Sequence, residues 1–144
     1  MPGGRAGPEG PPAEVLDRFA SAPVARLATI SSDGPRLVPV TFAWHAGTVV
    51  WAVDDVKPKR GRDLRRIRDL EATPQVAMLV DHYADDWSTL WWVELRGTAW
   101  ILEEGRAEDA LDALASRYPP YAEARPPGPV VAVRPDRWTW WSAR

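Results

Sequence analysis

Three runs rich in β-branched and apolar residues follow one another with only turn-forming residues between them: Val24–Ile30, Arg36–His45 and Thr48–Val53. The breaks, Ser31-Ser32-Asp33-Gly34-Pro35 and Ala46-Gly47, are too short to hold a crossover helix. Antiparallel hairpins are therefore expected, here as a three-stranded meander. A doubly wound parallel sheet, in which strand and helix alternate throughout, is excluded.

The rest of the chain extends this pattern. A short helix opens at Pro12-Ala13-Glu14, with Val15, Leu16 and Phe19 on its apolar side, and Pro23 ends it. Arg62 to Ala72 reads as a second helix with a narrow stripe of Leu64, Ile67 and Leu70, stopped by Thr73-Pro74. Two strands follow, Gln75–Asp81 and Ser88–Leu102, with Gly97 placed as a bulge or bend inside the second. Glu104–Tyr118 is a third amphipathic helix, carrying Ala107, Leu111, Leu114 and Tyr118. A Pro-rich connection (Pro119-Pro120, Pro126-Pro127) leads to closing strands at Val130–Val133 and Arg137–Trp141. The expected fold is mainly β, of the α+β kind: an antiparallel sheet of six to seven strands closed into a barrel, with helices outside. Residues 1–12 read as a flexible Pro/Gly tail and 13–144 as one domain.

Charge is unevenly spread along this chain. The formal net charge is −2, yet Lys57, Lys59, Arg60, Arg62, Arg65, Arg66 and Arg68 face a single acidic residue, Asp63, within one segment. Lys57 and Lys59 are also the chain's two lysines, among sixteen arginines. The segment falls where a strand hands over to a helix, so backbone N–H groups and cations together suit a phosphate, and Pro58 stiffens the loop. A solvated helix face is the structural alternative for the helical half. The acidic remainder of the chain argues against nucleic acid as the partner. Neither GxGxxG nor GxxxxGK[ST] is present, so a Rossmann or P-loop mode is not expected.

Nine tryptophans dominate the aromatic content. Most suit a core or an interface. Trp91-Trp92 and Trp140-Trp141 must each point to opposite faces of a strand, and one small barrel does not bury both faces, so a homodimer is expected. Trp87, at a loop end before Ser88, is the best placed for a ligand contact.

Acid–base or nucleophilic machinery is not legible. The chain has no cysteine, and its histidines, His45 and His82, form no triad or metal set. His82 suits either a turn hydrogen bond or a haem or metal ligand. Ser31-Ser32 lacks the G-x-S-x-G elbow. No catalytic or metal residue is assigned, and a cofactor is expected to carry the hard chemistry. There is no apolar run long enough for a membrane span, nor a secretory-type apolar start, so cytoplasmic residence is the expectation.

Val24–Ile30 and Asp33–Phe42, followed by Lys57–Arg60, Leu64–Ile67, Glu71–Pro74, Val80-Asp81 and Asp86-Trp87-Ser88, resemble the pyridoxamine 5'-phosphate oxidase-like split β-barrel family. Within it the similarity is to the mycobacterial and actinobacterial branch thought to use coenzyme F-420, a deazaflavin. The resemblance implies a homodimer with two cofactor sites at its interface. It implies that Lys59, flanked by Lys57 and Arg60, binds the cofactor phosphate. Pro39, Val40 and Thr41 would line the ring through their backbone, Trp87 and Ser88 would border it, and Arg137 would reach the partner subunit's site. Where relatives often carry asparagine-leucine after the lysine, this chain has Asp63-Leu64. FMN in the same fold, and a non-catalytic flavin or haem carrier using His82, are the alternatives.

Overall fold

A computed structural model of the chain describes residues 3–53 and 60–143, with side chains from Arg65 onward in the second stretch. Lys57 and Lys59 lie outside the described residues, and Arg60 is described only as the first residue of a helix. The elements run β1 (Gly3–Ala6), α1 (Ala13–Ser21), β2 (Ala25–Ser31), β3 (Gly34–Val40), β4 (Ala43–His45) and β5 (Thr48–Ala52). They continue with α2 (Arg60–Ala72), β6 (Gln75–His82), a 3-10 turn at Trp87–Thr89, β7 (Trp91–Ile101), α3 (Glu104–Arg117), α4 (Pro119–Glu123) and β8 (Val130–Ser142).

The eight strands form one antiparallel sheet in the order β3-β2-β6-β7-β8-β5-β4, with β1 added on β8. The expected barrel-type sheet with flanking helices is present, with one more strand than expected. The meander needs correction. Strand Arg36–His45 breaks at Thr41-Phe42, and its two pieces lie at opposite edges: β3 pairs with β2, while β4 pairs with β5. The cause is a set of side chains arriving from far along the chain. The Tyr118 hydroxyl lies 2.9 Å from the Phe42 carbonyl and 3.0 Å from that of Pro23, and accepts the Phe42 amide at 3.2 Å. Arg117 donates to the Phe42 carbonyl at 2.6 Å and also to that of Ala22. Tyr121, buried in α4, hydrogen-bonds Thr41 Oγ1 at 2.7 Å. With both backbone groups of Phe42 taken by these side chains, its ring turns fully into the core.

Two further corrections concern the chain ends. Part of the segment expected to be a flexible tail is strand β1, in register with Trp138–Trp141. Gly4 makes this possible: a Cβ there would stand 2.5 Å from the Trp140 indole. The two expected C-terminal strands are one, β8, which pairs with β5 through Val130–Val133 and with β1 through its Trp138–Trp141 half. Pro135 is carried within it at a register shift opposite Arg96/Gly97. The bulge falls at Gly97 as a position but on the other strand: Arg96 pairs with Arg137 and Gly97 with Pro135, leaving Asp136 of β8 as the extra residue, and a Cβ on Gly97 would lie 2.4 Å from the Arg134 carbonyl oxygen.

The main core lies on one side of the sheet. Phe19 of α1 is fully buried there, 5.3 Å from the Phe42 ring and 5.2 Å from Trp138. A second apolar cluster sits where Ala110, Leu111 and Leu114 of α3 cover Ala43, Val50, Val130 and Ala132.

Candidate functional site

Strand β3 is an edge strand, and α2 packs beside the hairpin it forms with β2. In an antiparallel pair, alternate residues direct N–H and C=O to the neighbour, and a proline fits only where no N–H is needed. Pro35 and Pro39, in register with Ile30 and Arg26, thus turn their backbone to the free edge, together with Leu37. Side chains alternate with the same period, one set to each face of the sheet. Arg36 stands across from the buried Thr29, so it points to the side covered by α2.

A cleft of about 240 Å³ opens there, between β2, β3 and α2, lined by Thr29, Arg36, Val38, Arg65, Arg66 and Asp69. Arg65, Arg66 and Asp69 share one side of α2 because they recur at helical spacing. Ile67 and Leu70, on the adjoining side, anchor the helix to the main core. Arg65 is ion-paired with Asp33 of the β2–β3 turn, and Arg36 lies 3.8 Å from the same carboxylate. Asp33 is 70% exposed, so it is a solvent-facing counter-ion that an incoming anion displaces readily. Asp69 Oδ2 is buried and accepts no hydrogen bond among the described residues.

This donor set fits a phosphate. Three guanidinium groups from two elements converge on one cleft, and guanidinium is the side chain best shaped for phosphate oxygens. From Arg36 to Val40 the edge strand extends roughly 13 Å, enough to carry an elongated ligand away from its anionic end.

The residues expected from sequence divide as follows. Pro39 and Val40 lie on this edge strand and Thr41 directly follows it, with its hydroxyl engaged by Tyr121. The β6–β7 loop with Trp87 and Ser88 lies at the sheet end where β3 finishes, since the register continues from Arg26↔Leu79 towards it. Trp87 is 78% exposed. Asp86 caps its 3-10 turn, accepting from the Ser88 hydroxyl at 2.7 Å and from its amide at 3.1 Å. These two bonds hold the Asp86 carboxyl below the usual carboxylate range. Arg137 does not join the cleft. It sits across from Arg96 on the opposite face of the sheet, four strand spacings or roughly 19 Å from β3. His82 is exposed, with Nε2 3.3 Å from Thr89 Oγ1. Lys57 and Lys59 fall outside the described residues, and Arg60 begins the helix that forms one wall of the cleft.

The face that carries Arg137 is also apolar. By register, Ile30, Leu37, Leu79, Trp92 and Trp141 all project from it, and Leu37 is 77% exposed.

An antiparallel split barrel with flanking helices defines a fold class, and comparison with known proteins places the chain within it. Residues 11–142 match the pyridoxamine 5'-phosphate oxidase family, and the chain belongs to that family. No curated protein matches the chain. Among solved structures, it is similar to a conserved hypothetical protein from Mycobacterium tuberculosis (TM-score 0.73, 24% identity, covering 94% of this chain and 86% of that one). It is also similar to a heme-binding protein from Mycobacterium smegmatis (TM-score 0.69, 23% identity, 88% of this chain and 52% of that one). A FAD-binding protein from Mesorhizobium loti has the same fold (TM-score 0.70, 16% identity, 96% and 94%). At these identities the likeness concerns the fold.

Proposed function

We propose that this chain is a flavin-type oxidoreductase that uses coenzyme F-420 and acts on a small unsaturated molecule. The observation that carries the reading is the convergence of Arg36, Arg65 and Arg66 beside an open edge strand. When bound, the reduced deazaflavin supplies a hydride to the substrate held over its ring. The chain's own part is positional. Arg36, Arg65 and Arg66 neutralise the phosphate, and Lys57, Lys59 and Arg60 hold the phosphate or the glutamate tail. The backbone of Pro39, Val40 and Thr41 fixes the ring, and Trp87 and Ser88 border it. No side chain is assigned as an acid, base or nucleophile.

The same reading takes the apolar face of Ile30, Leu37, Leu79, Trp92 and Trp141 as a homodimer interface. Through it Arg137 reaches the partner subunit's cofactor, which accounts for its distance from the cleft of its own subunit. FMN in the same cleft is the nearest alternative. A haem carrier is favoured by one observation, the exposed imidazole of His82.

Titration of the purified protein with F-420, FMN and haem separates these readings. Quenching of F-420 fluorescence is expected, and Arg36→Ala and Lys59→Ala should each weaken it about 10-fold or more, the worth of a charge-assisted hydrogen bond. Tight FMN binding without F-420 quenching would replace the cofactor. An absorbance band from haem that is lost in His82→Ala would replace the enzyme reading with a carrier.

A further inference from the structure

The turn between β2 and β3 keeps its shape without the Asp33 carboxylate. The buried Ser31 hydroxyl donates to the Gly34 carbonyl at 2.9 Å and accepts the Asp33 amide at 3.2 Å. Gly34 supplies the positive φ, 112°, that the turn requires. The carboxylate itself, largely exposed, reaches away from the turn. Its Oδ2 is ion-paired with Arg65 of α2 and lies 3.8 Å from Arg36 of β3. Those are two of the three guanidinium groups that line the cleft. The chain thus presents an anion of its own to the cations that an incoming anion needs. A tethered carboxylate competes at a high effective concentration, and a ligand that uses Arg65 binds only the molecules in which the pair is open. An exposed pair of this kind raises the apparent Kd by up to about 5-fold.

We propose that Asp33 is an autoinhibitory counter-ion, which holds Arg65 with Arg36 beside it in the ligand-free protein and yields them only to an anion that replaces it. The proposal rests on the reading of the cleft as a phosphate site, and it does not depend on what the phosphate is attached to. Competition has a signature. Once Asp33 is neutralised, every anion that uses Arg65 gains by the same factor, whatever its own charge. A carboxylate that merely repelled the ligand would act more strongly on the more highly charged one.

The test measures inorganic phosphate and pyrophosphate by calorimetry on the full chain, in the parent, Asp33→Asn, Arg65→Ala and the double variant. Asparagine suits a turn, so Asp33→Asn removes the charge and keeps the fold. It should tighten both ligands by one common factor of about 3–5. On the Arg65→Ala background the same change should have less than about a 2-fold effect, because the cation competed for is gone. If Asp33→Asn tightens pyrophosphate clearly more than phosphate, or acts as strongly without Arg65, Asp33 is only a repelling charge and the proposal is overturned. Weaker binding in Asp33→Asn also overturns it, since the carboxylate would then be positioning Arg65 for the ligand. Unchanged affinity in Asp33→Asn, with Arg65→Ala weakening both ligands, overturns it while the phosphate cleft stands. If neither Arg65→Ala nor Arg36→Ala alters either ligand, the phosphate reading of the cleft itself is lost, and the proposal goes with it.

Discussion

Helix α3 presses Ala110, Leu111 and Leu114 into an apolar cluster with β4, β5 and β8. Helix α2, beside the other edge of the sheet, meets the β2–β3 hairpin through Arg65, Arg66 and Asp69, and the two hydrophobics Ile67 and Leu70 hold it to the core. Both helices are amphipathic, and each covers part of the same sheet. One seals its edge, and the other keeps a charged gap open. The difference shows that cover and cleft are separable properties of this fold: burial at the β4 edge supplies stability, and the β3 edge keeps the unfilled space in which the proposed ligand would sit.

The separation can be broken from the stable side first. Leu114→Ala removes a fully buried side chain and should cost about 2–5 kcal/mol in urea unfolding, while phosphate binding by the folded fraction changes little. Arg65→Ala should do the reverse. Its ion pair with Asp33 is solvent-facing and worth ~0–1 kcal/mol, so stability is nearly kept, whereas phosphate affinity falls about 10-fold by calorimetry. A coupled response, with Leu114→Ala abolishing binding in the folded protein, would show that the two helices do not act independently.

Tyr118→Phe sharpens the comparison at the point where the edges diverge. It removes the hydroxyl shared between Pro23 and Phe42 and should cost ~1 kcal/mol in the same unfolding measurement. Arg117 still holds the Phe42 carbonyl, which limits the loss. The smallest effect belongs to Asp86. Its carboxyl is held below the ordinary range by Ser88, so the cap stabilises the turn above pH ~4 and is lost as pH falls through the lowered value. Fluorescence of the exposed Trp87 should report that loss on acidification, and Asp86→Asn should remove the pH response.

Much of the fold was legible because its signals are local. The run of β-branched and small residues in Val24–Ile30, the Ala46-Gly47 turn and the helical spacing of Leu111 and Leu114 correspond to elements in place. Ala46 and Gly47 both take positive φ there, as a tight hairpin turn requires. What escaped was set at a distance. β1 has no apolar pattern of its own and exists because Trp140 packs over Gly4. The break at Phe42 is imposed by Arg117 and Tyr118, some 75 residues later in the chain. Pro119 and Pro120 read as a connection, yet they start α4, since proline suits the first helical turn. The cleft divides in the same way. Its basic composition was visible in the Lys57–Arg68 segment, but membership of Arg36 depended on strand register and that of Asp69 on helix phase. Neither is written in local composition.

Pro35 and Pro39 on β3 have a consequence for how copies of this chain meet. A free strand edge normally invites another strand to dock by backbone hydrogen bonds, and from there a sheet can grow without limit. Between Gly34 and Val40, two of the three residues facing outward have no N–H to give. The edge therefore cannot template a neighbour, and the sheet ends there. On the homodimer proposed above, association falls to the apolar face, which would close on a second copy and stop, while the carbonyls along the rim would be left to something too small to be a strand.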